Sequence, residues 1–189
     1  MKKLFLFNIF VFFFITLFCS LGTWQLYRLQ WKQDLINQIS QGLKSTPIQY
    51  TKNIKKNYQR VTIKGQYYFE NQIYLYSLNG KGQPGFDVIT PFETKNKENV
   101  LVNRGWIKKK FKNKSSINST SNDITGMLRQ ANRKNLFTPE NNINENIWFS
   151  VDLNDVQEAT GKKFNKFIVY LEDKNIITPK PKKITIDVP

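Results

Sequence analysis

The chain has 189 residues, a net charge of +15, 40% hydrophobic residues and 14% aromatic residues. This length accommodates one domain of ordinary size, and the apolar content excludes a chain that is disordered throughout. The basic residues are scattered and no helix-turn-helix, zinc-finger or RNA-binding signature accompanies them, so the charge does not indicate a specific nucleic-acid partner.

The chain opens with an apolar stretch. Residues 4–21 follow two lysines and are interrupted by only three polar residues. A transmembrane helix needs about 20 residues, and the continuation to Trp24 and Tyr27 supplies that length with aromatic side chains at the interface. A cleaved signal peptide is the alternative, with Ser20 and Gly22 as small residues at the cleavage site. We expect residues 1–27 to form a membrane anchor. Lys2 and Lys3 favour a cytoplasmic N-terminus, whereas Arg28 and Lys32 lie close to the other end, so charge alone leaves the orientation open.

Helical spacing continues beyond this anchor. Apolar side chains recur at three- and four-residue steps, at Trp24, Tyr27, Trp31, Leu35 and Ile39. Arg28 and Lys32 share one face of the same helix, where long cationic side chains reach back to lipid headgroups. This pattern predicts a helix that leaves the bilayer, within a juxtamembrane helix and linker over residues 28–56.

β-Strand patterns dominate residues 57–178. Alternating, or β-branched and aromatic, segments lie at 58–65, 73–78, 86–92, 100–107, 124–129 and 167–171. Turn signals separate them, and NGKG at 79–82 is the strongest. We predict a mainly antiparallel sheet, with closure toward a barrel as one option. One helix is expected between Asp152 as N-cap and Gly161 as C-cap. The fold class is therefore α+β.

Two polar segments complete the chain. Residues 108–123 are rich in Lys, Ser and Asn, and predict an exposed loop. Contact with acidic lipid headgroups or an acidic partner is the alternative to simple solvation. Residues 179–189 are rich in Pro and Lys, and predict an extended tail.

No catalytic or metal site is predicted. The chain has no histidine, and its one cysteine, Cys19, lies in the apolar stretch. This composition excludes Ser–His and Cys–His nucleophilic machinery as well as His-based or Cys-cluster metal sites. The segment GKGQPG at 80–85 lacks the ending of a phosphate-binding loop, so a turn is the better interpretation. We expect no enzymatic activity.

Several motifs occur in the order found in one family. LGTWQL at 21–26, with Arg28 and Trp31 after it, resembles the end of the first membrane helix of Surf1 proteins. GQPGFDVITPF at 82–92 is similar to the family's central glycine-rich strand, and VLVNRGWI at 100–107 to its most recognisable signature. GMLR at 126–129, FTPEN at 137–141 and Trp148 continue the order. The resemblance extends over residues 21–181.

The resemblance implies an assembly factor for haem–copper cytochrome c oxidase. Its soluble domain is expected on the outer face of a bacterial inner membrane, with the large haem-bearing subunit and the lipid bilayer as partners. Family members are linked to delivering or holding haem a, which makes haem a the implied cofactor. The family's second membrane helix carries an Asn–His–Leu-like motif with the candidate haem ligand. Neither has a counterpart before Pro189, so the resemblance does not assign that ligand to this chain.

Six residues are candidates for an interface or structural role: Trp24, Arg28, Gly85, Arg104, Gly105 and Trp106. Arg104 is expected either to pair with a haem propionate or an acidic partner, or to brace a turn beside a buried Trp106. Two other functions remain open. One is an exported basic module that binds an acidic polymer or a membrane surface, and the other is an inactive, truncated remnant of the family.

Overall fold

The computed structural model describes residues 2–54, 56–112, 122–131, 134–172, 179 and 181. The chain divides into two compact units, Met1–Gln41 and Gly42–Pro189. The first is helical, and the second contains the sheet. The described elements, in chain order, are α1 Lys2–Lys44, β1 Ile48–Gln49, β2 Arg60–Tyr67, β3 Ile73–Leu78, β4 Pro84–Thr94, β5 Asn99–Lys108, β6 Asp123–Gln130, α2 Leu153–Thr160 and β7 Phe167–Leu171.

Helix α1 is continuous through residues 27 and 28, and the helical spacing predicted there is confirmed. Two of its hydroxyl groups bond back to the helix: Thr16 Oγ1 donates to the Phe12 carbonyl and Thr23 Oγ1 to the Cys19 carbonyl, both at 2.9 Å. These bonds satisfy the hydroxyls without water, as a lipid environment requires. Within the described part of the chain, one helix, α1, is long and apolar enough to cross a membrane.

The strands form one mixed sheet in the order β1-β2-β6-β7-β5-β4-β3. Most pairings are antiparallel, whereas β1–β2 and β5–β7 are parallel. Strand β2 pairs along residues 60–64 with β6 and along residues 65–67 with β4. The hydrogen-bonded pairs therefore make a closed circuit through β2, β6, β7, β5 and β4.

The interior of this circuit is apolar. Alternate residues of β2 and β5 point into it, because successive side chains of a strand face opposite sides of the sheet. Val61, Phe92, Val102 and Val169 are completely buried in this cluster. The alternation that predicts the strands is thus the pattern that fills the core.

Helix α2 covers a second cluster on another face of the sheet. Asp152 Oδ1 accepts the Asn154 N–H at 2.8 Å, and the Gly161 N–H donates to the Gln157 carbonyl at 2.8 Å. Both predicted helix ends are therefore confirmed. Val156 is completely buried and anchors the helix in this cluster.

The six predicted strands are all present, within two residues at either end. The predicted turn at residues 79–82 is also confirmed, with the Asn79 side chain accepting two backbone N–H groups at 2.9 Å. Strand β1 was not predicted, because two residues carry no readable alternation. The predicted loop over 108–123 begins with a 3-10 turn, Lys109–Phe111, and its residues 113–121 lie outside the described part. The predicted tail, apart from Pro179 and Pro181, lies outside it as well.

Candidate functional site

Four of the six candidate residues lie together on the β4–β5 hairpin, around a β-bulge. Val88 pairs with Gly105 and Ile89 pairs with Asn103, so Arg104 is the extra residue of β5. Gly105 has φ 123°, a backbone conformation that favours glycine. The Asn103 side chain accepts the Gly105 N–H at 2.9 Å and fixes this conformation. The bulge re-aims the side chain of Arg104 relative to a regular strand.

Arg104 is completely buried and hydrogen-bonded to Gln72, beside β3. Its Nη1 donates to Gln72 Oε1 at 3.0 Å, and Thr90 Oγ1 donates to the same oxygen at 3.1 Å. Gln72 Nε2 in turn donates to the Tyr74 hydroxyl at 2.9 Å. One glutamine amide thus joins the bulge of β5 to β3 and β4.

Two aromatic rings complete the surroundings of the guanidinium. Its carbon lies 5.1 Å from the centroid of Phe69 and 5.4 Å from that of Tyr67, within the range of a cation–π interaction. Burial lowers the pKa of Arg104 to about 10, and the side chain remains protonated at neutral pH. The structure therefore holds a desolvated cation between ring faces and an amide oxygen.

The other face of the hairpin carries a second set of polar side chains, centred on the buried side chain of Asp87. Ser77 Oγ donates to Asp87 Oδ1 at 2.9 Å, and Asn103 Nδ2 lies 3.4 Å from Asp87 Oδ2. Asn103 is also paired with Tyr170 of β7, and burial raises the pKa of the Tyr170 hydroxyl. Asn103 therefore links β4, β5 and β7 while it holds the bulge.

Trp106 covers this face, and Gly85 provides the space for its ring. The Trp106 Nε1 donates to the Ser77 carbonyl at 3.2 Å. A Cβ atom at Gly85 would lie 2.5 Å from two ring carbons of Trp106 and 2.2 Å from the Ile107 carbonyl oxygen. Glycine is therefore required at position 85 by close approach, not by an unusual φ.

The two remaining candidates belong to the helical unit. The Arg28 guanidinium carbon lies 5.6 Å from the ring centroid of Trp24, and Trp24 is exposed. Gln72, Thr90 and Asn103 were not predicted as site residues. A buried arginine demands acceptors, but the residues that supply them are fixed by strand pairing and not by a local motif.

The described residues contain no group of three or more His, Cys, Asp or Glu side chains that could hold a metal ion. A cavity of about 160 Å³, lined by Tyr50, Lys64 and Lys95 among others, lies beside β1 and β2. It is smaller than ligand pockets, which start at roughly 300 Å³.

Comparison with known proteins identifies the family. The model of the SURF1 family matches residues 12–188, which is nearly the whole chain. The chain belongs to the SURF1 family. Surfeit locus protein 1 of Gallus gallus is 34% identical over 171 residues, covering 78% of this chain and 55% of the chicken protein. SURF1-like proteins of Rickettsia conorii and Rickettsia prowazekii are 30% and 31% identical, covering 89% and 83% of this chain.

The relatives in the SURF1 family are longer than this chain. It spans about half of the chicken protein, 55%, and 72% of the Rickettsia conorii protein. Two groups that could hold a haem are not available in this chain: it has no histidine, and the Arg104 guanidinium is buried in internal contacts.

Gly85→Ala is expected to lower the free energy of unfolding by about 2 kcal/mol, because the added methyl group overlaps the Trp106 ring and the Ile107 carbonyl. Chemical denaturation of the full chain in detergent measures this change, and near-UV circular dichroism reports the displaced indole. Gly80→Ala is the matched control, because a Cβ atom there meets nothing within 4 Å. Equal stability of the two variants would contradict the packing described.

Arg104→Ala is expected to lower the free energy of unfolding by about 3 kcal/mol, because it leaves a cavity and removes a charged donor from Gln72. Arg129 is the matched control, since it stacks on Tyr170 at 4.8 Å and is only half-buried; Arg129→Ala is expected to cost about 1 kcal/mol. Arg104→Lys should restore little, because an ammonium lacks the planar fork. The same denaturation measurement tests all three, and similar losses for Arg104→Ala and Arg129→Ala would refute the bracing role.

Proposed function

We propose that this chain is an assembly factor for haem–copper cytochrome c oxidase and has no catalytic activity of its own. The observation that carries the proposal is the family match over residues 12–188, with relatives named Surfeit locus protein 1 and SURF1-like protein. Its proposed partners are the large haem-bearing subunit of the oxidase and the lipid bilayer. A binding protein of this kind needs a rigid scaffold and an accessible surface, and not a reactive group.

The polar groups of the sheet support a scaffold. The buried side chains of Arg104 and Asp87 are both engaged by neighbouring side chains, Gln72 for the first and Ser77 for the second. A catalytic group must instead be aimed at a substrate position. The internal contacts therefore favour a bracing role for Arg104 over the alternative of pairing with an external carboxylate.

Haem a enters this proposal through the partners. The chain contains no histidine to serve as an axial ligand. We assign the chain a role in haem a insertion, which it exerts by contact with the oxidase or with a haem-handling protein. Iron ligation by the described residues is not part of the proposal.

The proposed location is a bacterial inner membrane, with α1 as the anchor. Its 43 residues make a helix of about 65 Å at ~1.5 Å per residue, roughly twice the ~30 Å hydrocarbon thickness. About half of α1 therefore fits within the bilayer, and the remainder continues beyond it. Lys2 and Lys3 favour a cytoplasmic N-terminus, which leaves the sheet domain on the outer face.

Alkaline phosphatase, which folds to an active enzyme only outside the cytoplasm, tests this orientation. Fused after Pro189, it is expected to be active in intact cells, because the proposed orientation of α1 puts the sheet domain on the outer face. Green fluorescent protein at the same position, which is fluorescent only when it folds in the cytoplasm, is the matched control and should be dark. An inactive alkaline phosphatase fusion together with a fluorescent green fluorescent protein fusion would show the opposite orientation.

Complementation tests the assembly function. In a bacterium that lacks its own SURF1-family protein, this chain is expected to restore the haem a absorption and the activity of cytochrome c oxidase. Arg104→Ala should restore less than Arg129→Ala, because it loses more of the scaffold.

A folded and membrane-bound chain that restores neither signal would contradict the proposed function. If that chain instead binds anionic polymers in a salt-dependent and unspecific manner, the basic-module alternative is favoured.

A further inference from the structure

The turn that contains Leu136 and Phe137 exposes two large apolar side chains. Leu136 is 99% exposed and Phe137 is 94% exposed, whereas apolar side chains of the sheet are largely buried. Single exposed apolar residues are ordinary on protein surfaces. Two adjacent ones with almost no protein contact are a distinct feature of this domain.

Hydrogen bonds hold this turn in shape. The Asn135 side-chain oxygen accepts the Phe137 N–H at 2.9 Å and the Thr138 hydroxyl at 2.8 Å, and the Asn135 carbonyl accepts the Thr138 N–H at 3.1 Å. An asparagine side chain that bonds the backbone two residues later is a common way to fix a turn. The two apolar side chains are thus presented outward by an ordered tip.

A cation adjoins the tip. Lys134 directly precedes the turn and is exposed. The chain as a whole carries a net charge of +15. This charge favours an anionic surface as the binding partner of the tip.

The size of the tip favours a lipid surface over a protein. Stable protein interfaces bury about 800 Å² on each partner, and two side chains on a convex turn offer far less. A bilayer requires no shape complementarity, and apolar side chains with neighbouring lysines are the usual composition of shallow membrane contacts. The same chain already carries α1, a helix that is long and apolar enough to cross a membrane.

We propose that the turn at residues 135–138 is a second, shallow membrane contact, in which Leu136 and Phe137 insert below anionic headgroups while Lys134 stays among them. The proposal rests on the membrane anchoring by α1 proposed above. It assigns the outer domain its own lipid-binding element, separate from the anchor.

Depth-dependent quenching tests this contact. The full chain with Cys19→Ser and Phe137→Cys is labelled with an environment-sensitive fluorophore, then reconstituted in vesicles of phosphatidylcholine with and without phosphatidylglycerol. We expect the fluorophore to emit at shorter wavelength when the chain is in vesicles. Lipids with a spin label just below the headgroup should quench it about twofold more strongly than lipids with a spin label deep in the acyl region. The blue shift should be larger with phosphatidylglycerol, because the exposed Lys134 next to the turn is attracted to anionic headgroups.

Gly80→Cys is the matched control, since it lies exposed on another turn where an added side chain meets nothing within 4 Å. Its label should remain in water. If the label at position 137 behaves like the one at position 80 while the chain resists alkaline extraction, the proposed contact is overturned and the anchor is retained. If the tip binds a protein instead of lipid, the label at position 137 should likewise remain in water in vesicles that contain no other protein. Release of the chain by alkaline extraction overturns the anchor, and the contact with it.

A double variant separates membrane contact from folding. Leu136→Ser with Phe137→Ser is expected to leave the thermal midpoint unchanged, because neither side chain is packed in the protein. A fluorophore at Glu140→Cys, an exposed position just after the turn, is expected to show a blue shift in vesicles, and the double substitution should abolish that shift. The label at Gly80→Cys should be unaffected by the double substitution. Persistence of that shift without the two apolar side chains would contradict their insertion.

Discussion

A guanidinium group with no exposed surface sets the conditions for the sheet around it. Removing a cation from water is costly unless hydrogen-bond acceptors and ring faces replace the lost hydration. The structure meets this requirement for Arg104 with the amide oxygen of Gln72 and the rings of Phe69 and Tyr67. Strands β3 and β4, and the 3-10 turn Phe69–Asn71 between β2 and β3, are thereby tied to a single side chain on β5.

The bulge makes this arrangement compatible with a second network on the opposite face. An uninterrupted β5 would alternate its side chains regularly, but the extra residue at Arg104 shifts the register against β4. Asn103 then holds the Gly105 N–H and contacts Asp87, while Trp106 lies over Gly85. The short sequence from 103 to 106 therefore specifies polar contacts on both faces of one hairpin.

Local patterns in the sequence were sufficient for the apolar N-terminal helix, six strands, one hairpin turn and both ends of α2, since each depends on residues close in the chain. They also marked Gly85, Arg104, Gly105 and Trp106, through a family motif. The partners of Arg104 could not be read in this way, because Gln72 lies 32 residues away and is brought near only by pairing across β4. The parallel pairing of β5 with β7 was missed for a similar reason: alternation reveals a strand but not its neighbour.

The position of β7 has a consequence for the order in which the chain acquires its structure. β7 is the last strand in the described sequence, yet it lies between β5 and β6 in the sheet. During synthesis, β5 and β6 must therefore wait with unpaired backbone edges until residue 171 has emerged. Pairing between segments so distant in sequence slows folding, and open strand edges invite association with other chains. During this interval, chaperones that bind the unpaired strands would have the greatest effect on the yield of folded protein.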